Sequence, residues 1–299
     1  MSPAVPAATP VGLCVVDKPA GWTSHDVVAR CRRLLGTRKV GHSGTLDPMA
    51  TGVLVLGVGP ATRLLQFLSG LDKDYEAEFL LGVETDTLDA DGSVTATHDT
   101  PVDPDDLIRA SRDLVGAIDQ IPPMVSAVKI DGVPLHRRAR AGEVVERRAR
   151  RVTVDRLDLE PTGDADRWRA RVTCSSGTFV RVLAADLGHA VGSGAHLTAL
   201  RRTRVGPFAI DEAVPLDEVA PEVLLPPAAI ARVLEAAPVD AAVAAEVHHG
   251  RVLGRDRLGS VPPGSPGPWA VLDPDGDLLA VYRDHGEGRV KPVVVLARQ

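Results

Sequence analysis

Short apolar runs and alternating segments over the first two thirds of the chain predict a sheet with helices between its strands. Strand patterns fall at residues 12–16, 53–58, 75–81, 125–130, 151–159, 168–174 and 197–205. Apolar residues recur at helical spacing after Ser24, which we expect to cap a helix that Gly36 ends. Further helices are predicted at 61–68, from 104 to about 118, at 135–141 and at 178–191. This mixture predicts an α+β domain with a largely antiparallel sheet.

The pattern changes after residue 214. Prolines are frequent in 215–230, which indicates a linker. Two short helical patches, a segment rich in Gly and Pro at 259–268, and strands at 269–272, 278–283 and 290–297 follow. We therefore expect a disordered lead at 1–10, a first domain at 11–214, a linker at 215–230 and a small, mainly-β domain at 231–299.

Composition limits the class of protein. The 299 residues are 44% hydrophobic, enough for well-packed cores, yet no apolar run approaches the roughly 18 residues that span a membrane. Residues 1–10 lack the basic start and apolar stretch of a secretory signal, so we expect a cytoplasmic protein. Cys14, Cys31 and Cys174 are far apart and lie in apolar segments, which favours small buried side chains over a disulfide framework or a zinc site.

Charge is distributed unevenly along the chain. The net charge is −6, and residues 211–299, with 14 acidic and 8 basic residues, account for all of it. Segment 30–39 has five basic residues and no acidic residue, and segment 129–151 has eight basic residues against three acidic ones. Two basic blocks fit a track for phosphates, although two solvated helix faces would give the same pattern.

One short turn places a carboxylate between a basic segment and an apolar strand. Pro48 favours an extended backbone at Asp47, and Gly44 and Gly52 permit tight bends and the close approach of a ligand. An aspartate held in this way is a candidate nucleophile or base. Alternatively, Asp47 only closes the turn, as many Asp residues before Pro do.

Ordered motifs across residues 11–210, two thirds of the chain, resemble those of the bacterial tRNA pseudouridine-55 synthases, the TruB family. Each motif is weak alone, but the ordered set is highly specific. The matching stretches are 17–24 (DKPAGWTS), 41–52 (GHSGTLDPMATG), 73–75 (KDY), 82–87 (GVETDT) with 89–92 (DADG), 122–129 (PPMVSAVK), 176–181 (SGTFVR) and 194–202 (GAHLTALRR). The C-terminal segment resembles the family's RNA-binding PUA domain only loosely.

The resemblance implies a pseudouridine synthase catalytic domain followed by a PUA-like domain. The implied activity is the isomerisation of uridine-55 to pseudouridine in the T-arm of tRNA, with no cofactor and no metal. The sequence agrees with this, because it has no Rossmann glycine motif, P-loop or metal-ligand spacing. We expect a monomer that binds tRNA without an obligatory protein partner and without a membrane.

The resemblance also assigns three catalytic residues. Asp47 would stabilise or trap the positive charge that develops at the ribose C1′, as carboxylates do in glycosidases, or would remove a proton from C2′. Arg181 would keep Asp47 ionised, and Tyr75 would stack on the extruded uracil and take part in proton transfer. Without the motifs, Arg181 could be an exposed helix arginine, and Tyr75 could be a core residue.

The remaining matches concern substrate binding. Leu200 and Phe179 would form apolar walls, and His42 would insert into the RNA, although a loop histidine is usually only exposed. Phe179 stands where the family often has Tyr, so a phenolic hydroxyl is missing. Phosphate or structural contacts are implied for a set of basic residues: Lys18, Arg63, Lys129, Arg201 and Arg202.

Two alternative functions remain open at the level of the sequence. A guide-RNA-dependent pseudouridine synthase would share the catalytic motif but work in a multiprotein complex. An RNA-binding or RNA-folding module would need no chemistry, and Asp47, Tyr75 and Arg181 together argue against it. Activity of the purified chain on a bare tRNA would exclude a guide-dependent enzyme, and tritium release by wild type and Asp47→Asn would test whether the chain is catalytic.

Overall fold

The structure is a computed structural model that describes residues 9–99, 101–143, 145–259, 261 and 264–296. Most of the predicted N-terminal lead lies outside these residues and stays a prediction. Within the described part of the chain, no helix is both long and apolar enough to cross a membrane.

Fourteen strands precede residue 216 in the described residues. They are β1 (Gly12–Lys18), β2 (Val40–His42), β3 (Thr51–Val58), β4 (Lys73–Leu81), β5 (Val83–Thr85), β6 (Val94–Thr97), β7 (Gly116–Gln120), β8 (Lys129–Ile130), β9 (Val133–Pro134), β10 (Arg150–Pro161), β11 (Arg167–Cys174), β12 (Ala195–Val205), β13 (Phe208–Ala209) and β14 (Val214–Pro215). The α-helices of this part are α1 (Ser24–Leu34), α2 (Leu65–Leu68), α3 (Pro104–Asp113), α4 (Leu135–Arg140) and α5 (Val180–Ala190), and a 3-10 helix at Gly59–Leu64 leads directly into α2.

A ten-stranded mixed sheet forms the centre of this part. Its main path runs β14-β1-β3-β12-β4-β11-β10-β7, and β2 and β13 pair with β3 and β12. Neighbours are antiparallel except at β1–β14 and β3–β12. Two-stranded sheets, β5–β6 and β8–β9, lie beside it. The predicted α+β fold with a largely antiparallel sheet is confirmed.

Apolar side chains cover the sheet in separate clusters. Alternate residues of β4, among them Tyr75 and Phe79, pack with β11, β12 and α5 on one face. On β1, Cys14 packs towards α1 while Leu13 packs on the opposite face. All three cysteines are fully buried in the core, as predicted.

Several predicted boundaries are wrong. The cap of α1 is Thr23 rather than Ser24, because the Thr23 hydroxyl accepts from the Asp26 N–H and Asp26 accepts from the Thr23 N–H, a capping box. Helix α3 ends at Asp113 rather than near Ile118, since the chain turns and enters β7 at Gly116, whose φ is 101°. In the predicted strand 125–130, only the last two residues, β8, form a strand.

The C-terminal part holds a second sheet with the order β15-β17-β18-β19-β16. Its elements are β15 (Glu235–Pro238), α6 (Ala241–His248), β16 (Leu253–Gly254), β17 (Trp269–Leu272), β18 (Leu278–Gly286) and β19 (Arg289–Val295). Its mainly-β character is confirmed. Of the predicted strand 290–297, residue 297 lies outside the described residues.

The predicted linker 215–230 is packed against the first sheet. Leu225 exchanges both backbone hydrogen bonds with Leu13, at 2.9 and 2.8 Å. Ile230 and residues of β17 and β18 share one apolar cluster with Leu13 and Phe208. The domain boundaries themselves stay a prediction.

Candidate active site

The turn that carries Asp47 joins β2 to β3 at the point where β3 meets β12. Arg202 of β12 lies opposite Gly52 of β3 in a parallel pair. Gly52 has a φ of 100°, and a Cβ there would lie 2.2 Å from the Arg202 carbonyl oxygen. Gly52 is therefore required by backbone conformation and by space, as predicted, whereas Gly44 has neither a positive φ nor a close neighbour.

Two buried cations hold this turn through its backbone carbonyls. Lys18 Nζ donates to the carbonyls of Pro19, Trp22 and Pro48 at 2.9, 2.6 and 3.2 Å. Arg202 donates to the carbonyls of Gly44 and Thr45 in the turn at 3.2 and 3.4 Å. It also donates to the carbonyl of Val53 in β3 at 2.7 Å. The side chains of both cations have almost no exposure. The turn is thus fixed from both sides, with Asp47 between the anchors.

Asp47 faces a cavity of about 580 Å³, a size typical of small-ligand sites. Seven of the sequence-predicted site residues line this cavity: Asp47, Tyr75, Lys129, Phe179, Arg181, Leu200 and Arg202. The cavity also receives Lys73, Ser126 and Arg150. Its floor combines a carboxylate, a cation and an aromatic ring, with apolar walls.

Arg181 lies between two carboxylates and is 2% exposed. Its Nε is 3.0 Å from Asp47 Oδ2, and its Nη1 is 3.2 Å from Asp89 Oδ2. The Nε–H lacks hydrogen-bond geometry, so the contact with Asp47 is an ion pair. Nη1 and Nη2 donate to the carbonyls of Thr87 and Val125 at 2.7 and 2.8 Å. These contacts fix the guanidinium beside Asp47, so Arg181 is not an exposed helix arginine.

Opposing influences act on the Asp47 carboxyl. Its side chain is 32% exposed to the cavity, while protein surrounds it on the other sides. Burial raises the pKa of Asp47 above its usual range; Arg181 opposes this shift, and the neighbouring Asp89 charge adds to it. Arg181 therefore favours the carboxylate form without overcoming the effect of burial, and its role in keeping Asp47 ionised stays a prediction.

Tyr75 lies on β4 with its ring against the cavity, 9% exposed. Burial raises the pKa of its phenol above the usual value, an effect that the nearby Arg202 opposes. The side chain therefore stays a neutral phenol near neutral pH. It can present a ring face and a hydroxyl donor, whereas a phenolate base is disfavoured.

Leu200 and Phe179 form apolar parts of the cavity wall. Leu200 is 8% exposed and also borders a second groove on the other side of the Asp47 turn. Phe179 is the residue that precedes α5, and Arg181 follows two positions later on the first turn of that helix. The wall and the buried cation therefore share one short segment.

The remaining predicted residues do not all reach the cavity. Arg201 pairs with Asp17 at 2.7 Å and borders the second groove. Arg63 donates to the Val295 carbonyl at 2.8 Å and so contacts the C-terminal part. Lys129 is exposed at the cavity mouth. His42 is half-buried, its ring lies edge-on to that of His25 with centroids 5.5 Å apart, and burial lowers its pKa.

Sequence reasoning missed two residues that support the site. Asp89, within a motif but given no role, is 5% exposed and accepts from the Thr87 hydroxyl at 2.5 Å. Gln120 is 1% exposed; its Oε1 accepts from the Phe179 N–H at 2.9 Å, and its Nε2 donates to the Phe179 carbonyl at 3.3 Å. The motif DADG could have revealed Asp89, whereas nothing local to Gln120 predicts a partner 59 positions away.

Comparison with known proteins gives matches over nearly the whole chain. Residues 32–180 match the TruB family pseudouridylate synthase (N terminal domain). Residues 181–244 match the tRNA pseudouridylate synthase B C-terminal domain, and residues 234–297 match tRNA Pseudouridine synthase II, C terminal.

Relatives and solved structures agree with these matches. The chain is 51% identical to tRNA pseudouridine synthase B of Thermobifida fusca (strain YX), over 96% of this chain and 98% of the relative. It is 49% identical to the protein of that name in Nocardia farcinica (strain IFM 10152), over 95% and 93%. A chain in a Cbf5-Nop10-Gar1 complex has the same fold, with a TM-score of 0.72, 26% identity and coverage of 96% and 84%. The chain therefore belongs to the TruB family of pseudouridylate synthases.

Proposed function

We propose that this chain is a tRNA pseudouridine synthase, an isomerase that converts uridine-55 in the T-loop of tRNA to pseudouridine. The observation that carries the proposal is the Asp47 carboxylate, which faces the cavity and is paired at 3.0 Å with the buried Arg181. The names of relatives about half identical over nearly their full length support the same activity.

The reaction breaks the N1–C1′ bond, turns the uracil over and forms a C5–C1′ bond. The proton lost from C5 is balanced by one gained at N1, so the product is an isomer and no external group is consumed. The base is folded inside tRNA and must be extruded to reach the cavity. Tyr75 offers the extruded base a ring face, and Leu200 and Phe179 enclose it with apolar surface.

Asp47 acts at the ribose in its ionised form. It either forms a bond to C1′ as the glycosidic bond breaks or removes the C2′ proton, and both routes use the same oxygen. Arg181 holds this carboxylate in place and favours its charge, because its three other contacts, with Asp89 and the carbonyls of Thr87 and Val125, fix the guanidinium. A neutral phenol at Tyr75 can donate a hydrogen bond to the base or the ribose, but is poorly suited to accept a proton.

The second basic block supports binding of the tRNA backbone. Lys129 and Arg150 lie at the cavity mouth, and Arg147 and Arg148 line a neighbouring depression with them. Such a surface would follow the phosphates of one tRNA arm and give binding that weakens with salt. We further propose that the enzyme acts as a monomer in the cytoplasm, without a cofactor, a metal or an obligatory protein partner.

A bare tRNA transcript tests this function against the guide-dependent alternative. The purified chain should release tritium from tRNA labelled at C5 of uridine and form pseudouridine at position 55. A guide-dependent enzyme would be inert under these conditions. Activity only after other proteins or a guide RNA are added would contradict the proposal.

The catalytic assignment is tested by Asp47→Asn. We expect a loss of roughly a thousandfold or more in the single-turnover rate, as when a group essential to chemistry is removed. Affinity for tRNA should be retained, because this proposal assigns the carboxylate to the ribose and the basic residues to the phosphates. Asp155→Asn, an exposed acid on β10, is the matched control and should keep full activity. Equal rates for wild type and Asp47→Asn would refute the assignment.

A further inference from the structure

Trp22 differs from the other tryptophans of the chain in its exposure. Trp168 and Trp269 are 5% and 0% exposed and belong to the cores of the two sheets, whereas Trp22 is 37% exposed. Aromatic residues are only 3% of the sequence, so a large ring left on the surface is unusual here. Exposed rings on RNA-binding proteins serve as stacking faces for unpaired bases.

The turn that carries Trp22 is tied to the catalytic turn. Lys18 Nζ donates to the carbonyls of both Trp22 and Pro48, so these two oxygens lie within about 6 Å of each other. The Gly21 N–H also donates to the Pro48 carbonyl at 2.8 Å. The backbone that carries the Trp22 ring is therefore fixed beside the catalytic turn, and stacking on this ring needs little further ordering of that backbone.

A second groove beside the active cavity is lined by residues that directly precede Trp22. The groove has a volume of about 580 Å³, is lined by Ala20, Gly21 and Pro48, and shares Leu200 with the cavity. Acidic and basic side chains both line it, among them the exposed Glu76, Asp91 and Arg169, and Arg201, which pairs with Asp17. Such a mixture of hydrogen-bond donors and acceptors suits the edge of a base.

The basic block 30–39 supplies the complementary phosphate contacts. Helix α1 starts two residues after Trp22 and is about 16 Å long at 1.5 Å per residue. Arg32 and Arg33 occupy its last turn, and Arg38 and Lys39 follow on the surface. An RNA strand that leaves the cavity past Trp22 would therefore reach the basic residues at the end of α1, about 16 Å further on.

We propose that Trp22 stacks on an unpaired nucleobase adjacent to the target uridine and so helps to hold the opened T-loop. Extrusion of the uridine deprives its neighbours of stacking, and the indole ring replaces the lost partner. The inference rests on the proposed function, because it takes the substrate to be an RNA loop bound at Asp47. Trp22 is a substrate-binding residue, and it contributes to affinity rather than to the chemical step.

Fluorescence and affinity of two variants test the contact. Binding of a tRNA transcript should quench the tryptophan fluorescence of the wild type. Trp22→Phe retains only the buried Trp168 and Trp269, so its smaller change in fluorescence on tRNA binding is the control. Trp22→Phe should bind nearly as well as wild type, and Trp22→Leu should bind at least about fivefold more weakly, the lower end for loss of one stacked base. The loss should appear in the Kd for tRNA and in kcat/KM, and unaltered melting temperatures would exclude misfolding.

An abasic nucleotide identifies the partner. Wild type should bind tRNA with an abasic residue next to the target uridine more weakly than intact tRNA. Trp22→Leu should bind the abasic and the intact tRNA with nearly equal affinity, which is the non-additivity expected of a direct contact. Equal affinities of wild type and Trp22→Leu for intact tRNA, or additive losses at every unpaired position, would overturn the inference and leave Trp22 as a contact for a protein. Neither result would affect the proposed function, which fails only if wild type forms no pseudouridine in tRNA.

Discussion

Burial and Arg181 shift the pKa of the Asp47 carboxyl in opposite directions. Burial raises it, and the arginine partly opposes that increase. Because the ionised carboxylate is the active form, activity should fall as the pH drops through this raised pKa. The acid limb of the kcat/KM profile should therefore lie above the usual carboxyl range, as tritium release at varied pH would show.

Substitution of Arg181 should shift the acid limb of the kcat/KM profile to a still higher pH. In Arg181→Gln the opposing charge is gone, so the pKa of Asp47 rises again and activity is lost at a higher pH than in wild type. Arg181→Lys keeps a positive charge and serves as the control, with a smaller displacement. An acid limb at the same pH in all three proteins would show that it does not report Asp47.

Residues differ in how well the sequence reveals their roles. Asp47, Tyr75 and Leu200 lie in motifs and do meet at one cavity. For Lys18 and Arg202 the sequence left phosphate contacts and structural contacts open, and in the structure both are buried and bind backbone carbonyls. The sequence shows that Lys18 and Arg202 are charged. It does not show their partners, because these are carbonyls of distant segments that only the fold brings together.

At the scale of elements, the edge strand β7 is joined to the start of α5 through Gln120. Its amide forms two hydrogen bonds with the backbone of Phe179. Gln120→Leu should lower the free energy of unfolding in urea by about 1–3 kcal/mol, because two buried backbone groups lose their partner. It should also lower kcat, since Phe179 and Arg181 leave their positions.

Gln120→Glu is the control that distinguishes an effect of Gln120 on the position of Phe179 from an effect on stability alone. Gln120→Glu keeps the acceptor for the Phe179 N–H and loses only the donor, so its kcat should lie between those of wild type and Gln120→Leu. A Gln120→Leu protein with normal kcat and KM but reduced stability would show that the contact is only structural.

Strands and helices with strong periodicity were predictable, and their ends were less so. Residues 75–81 alternate and form most of β4, whereas the apolar residues around Val125 form no strand. The Val125 carbonyl instead accepts from Arg181, so a tertiary contact replaces the ladder that the pattern suggested. Similarly, Thr23 rather than Ser24 caps α1, and the Ser24 hydroxyl accepts from the Leu46 N–H of the catalytic turn at 2.9 Å.

At the scale of the whole molecule, the two sheets share an apolar cluster. It includes Leu13 and Phe208 from the first part and Ile230, Leu278 and Val294 from the second. Truncation after residue 229 would expose this surface in the remaining chain. We expect the melting temperature to fall by more than about 10 °C, since each large apolar side chain contributes about 1.5–3 kcal/mol.

Calorimetry of the full and truncated chains would measure this. Weaker tRNA binding by the truncated chain would then not prove that residues 230–299 contact RNA. Surface substitutions in the C-terminal part, such as Arg289→Ala on β19, are the better probe, because they leave the shared cluster intact. An unchanged melting temperature after truncation would contradict the expectation and show that the first part folds independently.

The anchoring of the catalytic turn has a consequence for how freely its sequence can vary. Lys18 and Arg202 donate hydrogen bonds to backbone carbonyl oxygens, which every residue has, rather than to particular side chains. The side chain at Thr45, whose carbonyl binds Arg202, can therefore be exchanged to suit a different RNA while Asp47 keeps its place. Natural selection can thus retune recognition at the rim of the pocket without disturbing the carboxylate on which turnover depends.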